Sequence, residues 1–389
     1  MGGQRKKASD QTGTPRQWVS RAGWRPGLAA PLVTNGELTD HVVRAGQAYA
    51  ARRRRIIVSR FEYYQLLSVF CQNAERLAAR DGGLGEALGQ LRETLRENAP
   101  EQAVKQAVAL AGRVNSLHSG LRQAGRDAGV DAAESVRIVN MHLDTVAAWN
   151  RAVSAHRKAG DSPGTALADR LPALDTALDE LFRHIDIDYE EKKSGSLIVS
   201  MHGANLVYFD RRAEYAPAHA SLAPLSGMLA AHIEARDKMF AECSEVLAAW
   251  ASAFSAIFNR TYRAGSRATD NALFSVDVPF RLAFDPVLVE NPSAFDAEAG
   301  IRALSEAEEK TAGQTLERFL SDIRAKNAAA RDKASQLLAC VVWQNKCIAD
   351  GPGETEMRDL VNCQRTFLAA YGRSGPVERL YQTLVNGGT

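Results

Sequence analysis

The apolar residues of this chain repeat with two different periods, and this change of period most constrains the fold. From about residue 37 to residue 182 they recur every three or four positions, as on one face of an α-helix. From Ile185 to Phe209 they alternate with polar residues, as in half-buried β-strands, and the helical period returns near Pro224. The sequence therefore predicts a mainly α fold, a long-helix bundle or rod with a small antiparallel β insertion.

Glycine, proline and aspartate clusters divide these patterns into elements. The predicted helices cover residues 37–79, 84–97, 101–128, 132–158, 163–182, 224–262, 303–348 and 354–371. The predicted strands cover residues 185–189, 196–200 and 206–209, and a further β-like stretch covers 273–284. We expect residues 101–182 and 224–262 to pack as one elongated bundle, with the antiparallel unit at its end.

The same boundaries predict the domain organisation. We expect a disordered basic leader and a helical rod domain that is interrupted by the β unit. The predicted segments are residues 1–32 for the leader, 33–182 for the first helical part, 183–223 for the β unit, 224–265 for the return helix, 266–300 for a β-like and loop segment, and 301–389 for the C-terminal helical region.

Charge is unevenly distributed although the net charge is only +2. Residues 1–60 hold 12 lysines and arginines against 3 acidic residues. Such a basic head is compatible with a nucleic-acid or membrane arm, but a solvated leader is the favoured interpretation. The run Arg52 to Arg55 lies inside a helical pattern, so its side chains fan around the helix. We expect a solvated segment with contacts to a partner helix rather than nucleic-acid binding.

Several classes of protein are excluded by composition. No apolar run approaches the roughly 20 residues that span a bilayer, and no apolar segment follows the basic N-terminus as in a cleaved signal peptide. The cysteines are odd in number and form no C-x-x-C pair, so we interpret them as small core residues in a reducing compartment. Their positions are Cys71, Cys243, Cys340, Cys347 and Cys363.

Signatures of catalysis are weak, so the sequence predicts no enzyme, cofactor or metal site. Gly83-Leu84-Gly85 lacks the preceding strand of a dinucleotide-binding fingerprint. Glu190 and Glu191 are adjacent in an extended segment, where neighbouring side chains point to opposite sides, so a water-facing pair is favoured over an acid–base pair. His184 and His202 flank the β unit and suggest a proton-transfer or metal site, but surface histidines are the favoured interpretation.

Short motifs in a fixed order carry a family resemblance. They are Val114-Asn115-Ser116-Leu117, Val136-Arg137-Ile138-Val139-Asn140, Val146-Ala147-Ala148-Trp149-Asn150, Leu167 to Leu174 continuing to Leu206-Val207, Ser226-Gly227-Met228-Leu229, Glu234-Ala235-Arg236-Asp237, Phe254 to Gly265 with Phe258-Asn259, and Glu356 to Gln364. Taken in order with the interposed β unit, they resemble the hook-associated protein 1 family of the bacterial flagellum, the hook–filament junction proteins of the FlgK family. The resemblance spans roughly residues 33–384.

This resemblance implies a structural protein of the flagellum at the hook–filament junction, where amphipathic helices of coiled-coil type pack between subunits. It also implies secretion by the flagellar type III route without a cleaved signal. The implied partners are the hook, the second junction protein, the filament and an export chaperone, with no nucleic acid and no membrane insertion. The alternatives are a diverged or truncated relative that serves as a helical interaction module, or an unrelated secreted effector or enzyme.

The chain departs from the family at both ends. Thr12-Gly13-Thr14-Pro15-Arg16-Gln17-Trp18 resembles the turn in which the family's apolar first helix ends, but the eleven residues before it here carry no apolar helical pattern. Cys363 stands where the family has tyrosine, and Gly372, Gly375 and Pro376 interrupt the last helix. In the family these two helices pair, so the chain is expected to have lost one partner and weakened the other. We therefore expect a monomer or small oligomer rather than a filament.

The C-terminal helix carries an apolar stripe that we predict to be a subunit or helix packing site. Its members are Met357, Leu360, Val361, Gln364, Phe367 and Leu368. Without a full N-terminal partner, this stripe is expected to meet the helix of residues 37–79 or that of residues 303–348, since an isolated amphipathic helix is marginal in water.

Changing Leu360→Asp together with Phe367→Asp tests this packing. Burying an unpaired charge costs several kcal/mol, so we expect the double variant to unfold at a clearly lower temperature than the parent. Circular dichroism during heating measures the difference. If parent and variant melt alike, the stripe is exposed and serves a separate partner. Ordered tubes formed by the purified parent alone would contradict the expectation of a small species.

Overall fold

The structure, a computed structural model, describes residues 35–80, 83–159, 167–192, 194–217, 223–266, 272–312 and 316–350, with side chains described for residues 54–312 and 321–339 within these ranges. Its contacts divide the chain into two units, residues 1–45 and 46–389. The first unit contributes only the beginning of one helix to the described residues. The packing described below belongs to the second unit.

Helices dominate the described residues. They are α1 (Asn35–Ala79), α2 (Gly83–Arg96), α3 (Pro100–Ala159), α4 (Leu171–His184), α5 (Met228–Glu234), α6 (Phe240–Gly265), α7 (Pro286–Glu290), α8 (Ala297–Thr311) and α9 (Leu316–Asp350). A 3₁₀ turn, Ala168–Arg170, precedes α4, and a π-helical turn, Ala235–Met239, joins α5 to α6. The predicted mainly α fold with a small antiparallel insertion is confirmed.

The strands form two antiparallel units. The first is a four-stranded sheet in the order β1 (Asp188–Glu191), β2 (Leu197–Met201), β3 (Ala204–Tyr208) and β4 (Arg211–Arg212). The second is the hairpin of β5 (Phe274–Asp277) and β6 (Arg281–Phe284). The predicted strand at residues 185–189 begins later, because Ile185 still caps α4 through its N–H to the Leu181 carbonyl. The short strand β4 was not predicted.

One long helix replaces two predicted ones. The sequence predicted separate helices at residues 101–128 and 132–158, whereas α3 continues unbroken through Gly129. Glycine costs about 1 kcal/mol in a helix interior. Burial of Ala128 and Ala132 on either side offsets this cost, and the absence of a side chain at Gly129 lets Arg236 pack against the helix backbone.

Other helix boundaries also differ from the prediction. The helix predicted at residues 303–348 is two helices, and α8 begins six residues earlier because the Asp296 side chain accepts a hydrogen bond from the Ala299 N–H and caps it. The helix predicted from Pro224 begins only after Gly227, whose φ of 86° starts α5. At Gly227 a side chain has no room, since a Cβ there would lie 2.4 Å from the His184 carbonyl oxygen.

Two hydrophobic clusters line α3. The first surrounds its N-terminal half and includes α2, α6, α8 and the β5–β6 hairpin. The second surrounds its C-terminal half and joins α4 and α5 to the four-stranded sheet through Val139, Leu143 and Val146 of α3. Helix α3 therefore carries both β units, and α4, α5 and α6 pack against it.

The leader (residues 1–32) and the C-terminal stripe (Met357, Leu360, Val361, Gln364, Phe367 and Leu368) lie outside the described residues. Within the described ranges, no helix is both long enough and apolar enough to cross a bilayer. The proposed domain boundaries stay a prediction.

Candidate functional site

Four asparagines fasten the β units to the helices. Asn115, Asn140 and Asn150 lie on α3, and Asn259 lies on α6. Each side chain bonds to backbone groups of a strand or of the segment next to it. We refer to these residues as the asparagine clamps.

Asn150 holds the four-stranded sheet at two points. Its Nδ2 donates to the carbonyls of Leu197, at 2.7 Å, and Phe209, at 2.6 Å, and its Oδ1 accepts from the Leu197 N–H at 2.7 Å. The residue is 2% exposed, so these bonds satisfy backbone groups that water does not reach. One side chain thereby ties the start of β2 to the turn after β3.

Asn140 fastens the segment that leaves the sheet. Its Oδ1 accepts from the Tyr215 N–H at 2.9 Å, and its Nδ2 donates to the Tyr215 carbonyl at 3.1 Å. The same oxygen also accepts from Arg212, at 3.1 Å, and Arg212 forms a two-pronged ion pair with Asp144 on α3. Segment and helix are thus joined by both backbone and side-chain bonds.

Asn115 and Asn259 fasten the β5–β6 hairpin from two sides. Asn115 exchanges two bonds of 2.8 Å with the Leu282 backbone on β6. Asn259 donates to the Phe274 carbonyl at 2.7 Å and accepts from the N–H groups of Leu273 and Phe274, at 2.9 and 3.0 Å. The hairpin therefore bridges α3 and α6 through its main chain.

Asparagine suits this task because its amide presents a donor and an acceptor side by side, as a peptide unit does. It can complete a strand's hydrogen bonding where no neighbouring strand exists. An aspartate in its place would offer only acceptors and would bury a charge. A leucine would leave the strand groups unpaired, at about 1–3 kcal/mol each.

An ion cluster centred on the buried Arg55 fastens α1 to α4 and β1. Arg55 is 7% exposed and donates to Asp179 at 2.6 Å, to Asp175 at 3.1 Å and to the hydroxyl of Tyr189 at 3.2 Å. Arg54 binds the other carboxylate oxygen of Asp179 at 2.6 Å.

The expectation of a solvated arginine run is wrong at Arg55, because two carboxylates on the partner helix replace its water. The expected contact with a partner helix is present there. The side chains of Arg52 and Arg53 lie outside the described ones.

The other residues singled out by the sequence do not meet in one site. Glu190 and Glu191 are exposed on β1, and Glu190 pairs with Lys192 at 2.5 Å. His202 bonds to Asp186 at 3.0 Å, whereas His184 is buried, so the expectation of two surface histidines is wrong for His184. Among the described residues, no group of three potential ligands is arranged to hold a metal ion. Cys71 and Cys243 are buried in the first cluster as expected, and burial raises the pKa of both thiols.

The four asparagines lie within the sequence motifs that resemble the family, but no role was predicted for them. Asn115, Asn140, Asn150 and Asn259 all stood in quoted motifs. The available signal was an asparagine repeatedly placed next to apolar helix positions, where a polar side chain needs a partner. The long-range partner of Arg55 had no local signal, since Asp175 and Asp179 are more than one hundred residues away.

The segment that bears most of the asparagine clamps is similar to a known protein family. Residues 65–221 match the sequence model described as "Flagellar hook-associated protein FlgK helical domain". This segment is similar to a FlgK helical domain. The predicted resemblance to this family is confirmed, and the matched FlgK segment contains α2, α3, α4, the four-stranded sheet and three of the four asparagine clamps. It covers less than half of the chain.

One solved structure is also similar to this chain. The flagellar hook junction protein FlgK from Burkholderia pseudomallei aligns with a TM-score of 0.47 and 15% sequence identity over 58% of this chain. The alignment covers 47% of that protein, so the chain spans about half its length. No curated protein sequence matches the chain.

Replacing Asn150→Ala tests the clamps. The change leaves at least two buried backbone groups without partners, so we expect the free energy of unfolding to fall by about 2–5 kcal/mol. Urea denaturation followed by circular dichroism measures this. The matched control is Asn73→Ala on the exposed face of α1, expected to change stability by less than about 0.5 kcal/mol. Equal denaturation midpoints for the two variants would rule out the clamp.

Buried histidines make the stability of this domain sensitive to acid. His184 is 5% exposed, and burial lowers the pKa of its imidazole to about 4. The groups that act on it are Glu180 and Arg183 on α4, His142 on α3 and His232 on α5, and Glu180 lies 4.0 Å away. The unfolded chain binds a proton near pH 6.5, so between that pH and about 4 only the unfolded state is protonated. Stability is therefore lost as pH falls through this window.

We expect the free energy of unfolding to decrease from pH 7 to pH 4.5 and the variant His184→Gln to show a shallower decrease. Urea denaturation at intervals of half a pH unit measures both slopes. The control His156→Gln, near the end of α3, is expected to keep the parent's slope. An unchanged slope in His184→Gln would show that this imidazole is not responsible.

Proposed function

We propose that the protein is a structural component of the bacterial flagellum at the hook–filament junction and acts by helix packing between subunits. The observation that carries the proposal is the match of residues 65–221 to the FlgK helical domain. Helix α3 lies within this segment, contacts both hydrophobic clusters and carries three of the asparagine clamps.

The geometry supports a structural role. The polar groups of the described core are used to bind backbone and to pair helices, as in Asn150 and Arg55. A scaffold benefits from such bonds because they hold strands and helices in one arrangement. We accordingly propose that the chain is not an enzyme and needs no cofactor.

The proposed function also implies binding partners and an export pathway. The proposed partners are the hook, the second junction protein and the filament, together with a chaperone during export by the flagellar type III pathway. The C-terminal stripe of Met357, Leu360, Val361, Gln364, Phe367 and Leu368 is the proposed subunit packing site. Its apolar spacing suits a coiled-coil contact with another long helix.

Deleting the gene in the bacterium that encodes the chain tests the proposal. We expect cells with hooks but without attached filaments in electron microscopy, and restored filaments when the parent chain is supplied. An epitope-tagged chain should be detected by immunogold labelling at the distal end of purified hooks. Normal filaments in the deletion strain, with the tagged chain absent from purified flagella, would instead favour a diverged interaction module.

A further inference from the structure

Helices α1 and α9 lie side by side and run in opposite directions. Ser68 contacts Asn327, Tyr64 contacts Lys333, and Ile57 shares a small apolar cluster with Leu337. From one of these contacts to the next, the residue number decreases on α1 and increases on α9. The two helices therefore form an antiparallel pair within the second unit.

The facing residues of both helices follow a seven-residue repeat with alternating steps of four and three. In α9 the described buried residues form a single narrow stripe, and the positions around it are exposed or half-buried. Such a stripe is typical of a two-helix seam. The α9 stripe is Ile323, Asn327, Ala330 and Leu337, and the matching α1 positions are Ile57, Phe61, Tyr64 and Ser68.

One layer of this seam is polar and buried. Ser68 is 6% exposed and Asn327 is 8% exposed, and the Ser68 hydroxyl donates to Asn327 Oδ1 at 2.8 Å. Gln72 donates to Ser68 at 3.4 Å, and Asn327 donates to Glu75 at 3.4 Å. The Gln72 bond lies within α1, whereas the bonds of Asn327 to Ser68 and Glu75 cross between the helices and depend on their alignment.

We propose that the Ser68–Asn327 layer fixes the register of α9 against α1. A shift by seven residues would preserve the apolar spacing of the seam, so the apolar layers alone discriminate poorly between registers. In one direction the shift places Asn327 against Phe61, and in the other it places Ser68 against Ala334. Either shift breaks the Ser68–Asn327 hydrogen bond and sets one of these two polar side chains against an apolar residue, which is the means by which a single polar layer selects one register.

Fixing this register has a consequence that rests on the proposed function. The helical backbone of α1 extends back to Asn35 and that of α9 extends on to Asp350. In a regular helix, an offset of seven residues at the layer is carried along the axis as a displacement of about 10 Å. The layer would thus determine which residues of α1 and α9 face each other when subunits pack.

Pulsed electron paramagnetic resonance on the purified full chain tests the register. Spin labels are introduced as unnatural amino acids at the exposed positions Asn73 on α1 and Ser335 on α9. The parent should give one distance. The variant Ser68→Leu with Asn327→Leu should give a second population whose distance differs by about 10 Å or less, depending on the direction of the shift.

Thermal unfolding compares the stability of the single and double leucine variants with that of the parent. Each single leucine variant should melt a few degrees below the parent, because it removes the hydrogen bond between the two helices and sets leucine against the remaining polar side chain, whereas the double variant should regain the parent's melting temperature or exceed it. The control Tyr64→Leu changes a neighbouring layer, keeps the polar pair and should keep one distance. If the leucine pair prevents folding, Ser68→Ala with Asn327→Ala removes the same layer with a smaller change in volume.

A single parental distance in the double variant would overturn the proposal and assign the register to the contacts of α9 with α6. These measurements need no flagellum, so they separate the register from the proposed function. If the register shifts but the bacterium still attaches normal filaments, the layer sets the register and its use in assembly is wrong.

Discussion

The structure depends on hydrogen bonding between asparagine side chains of helices and the backbone of short strands. Strands of four or five residues expose peptide groups at their ends and edges, and those groups need partners once they are buried. Asn150 supplies such partners at the start of β2 and after β3, and Asn259 does so at the start of β5. Without them the β units would rest on α3 and α6 mainly by apolar contact, which is weakly directional. The asparagines therefore decide where along each helix the β units sit.

Local patterns were sufficient to predict most of the elements. The spacing of apolar residues shows whether one face of a strand or one stripe of a helix is buried. Its change near Ile185 was therefore sufficient to predict the fold class. The continuity of α3 through Gly129 was not predictable in this way, because the groups that stabilise it lie on other elements. Arg236 packs at Gly129 and Phe240 lies close to Gly125. A local rule that treats glycine as a helix breaker is overridden when the missing side chain makes room for a neighbouring helix.

The site was less predictable than the fold for a related reason. The asparagines were visible in motifs, but a hydrogen bond from Asn115 to Leu282 spans 167 positions, and no local pattern records its partner. Arg55 illustrates the same limit, since its position in a run of like charges favours a solvated helix until Asp179 is brought beside it. Polar residues at half-buried helix positions thus indicate that a hydrogen-bond or ion-pair partner exists. Only the tertiary fold identifies that partner.

The buried polar groups differ in what they contribute. A clamp such as Asn150 satisfies backbone groups that would otherwise be stranded, so it contributes both stability and position. The ion pair of Arg55 with Asp179 recovers less net free energy, because the buried guanidinium gives up water, but removing Asp179 leaves the Arg55 charge buried with one carboxylate fewer. His184 illustrates the opposite case, since its Nδ1 has no hydrogen-bond partner in the described structure and its burial lowers the pKa of the imidazole. Where helices pack through apolar stripes, groups that tolerate only one partner distinguish the native arrangement from its neighbours. Alanine-rich faces permit many packings, and each polar contact removes those in which its partner is missing.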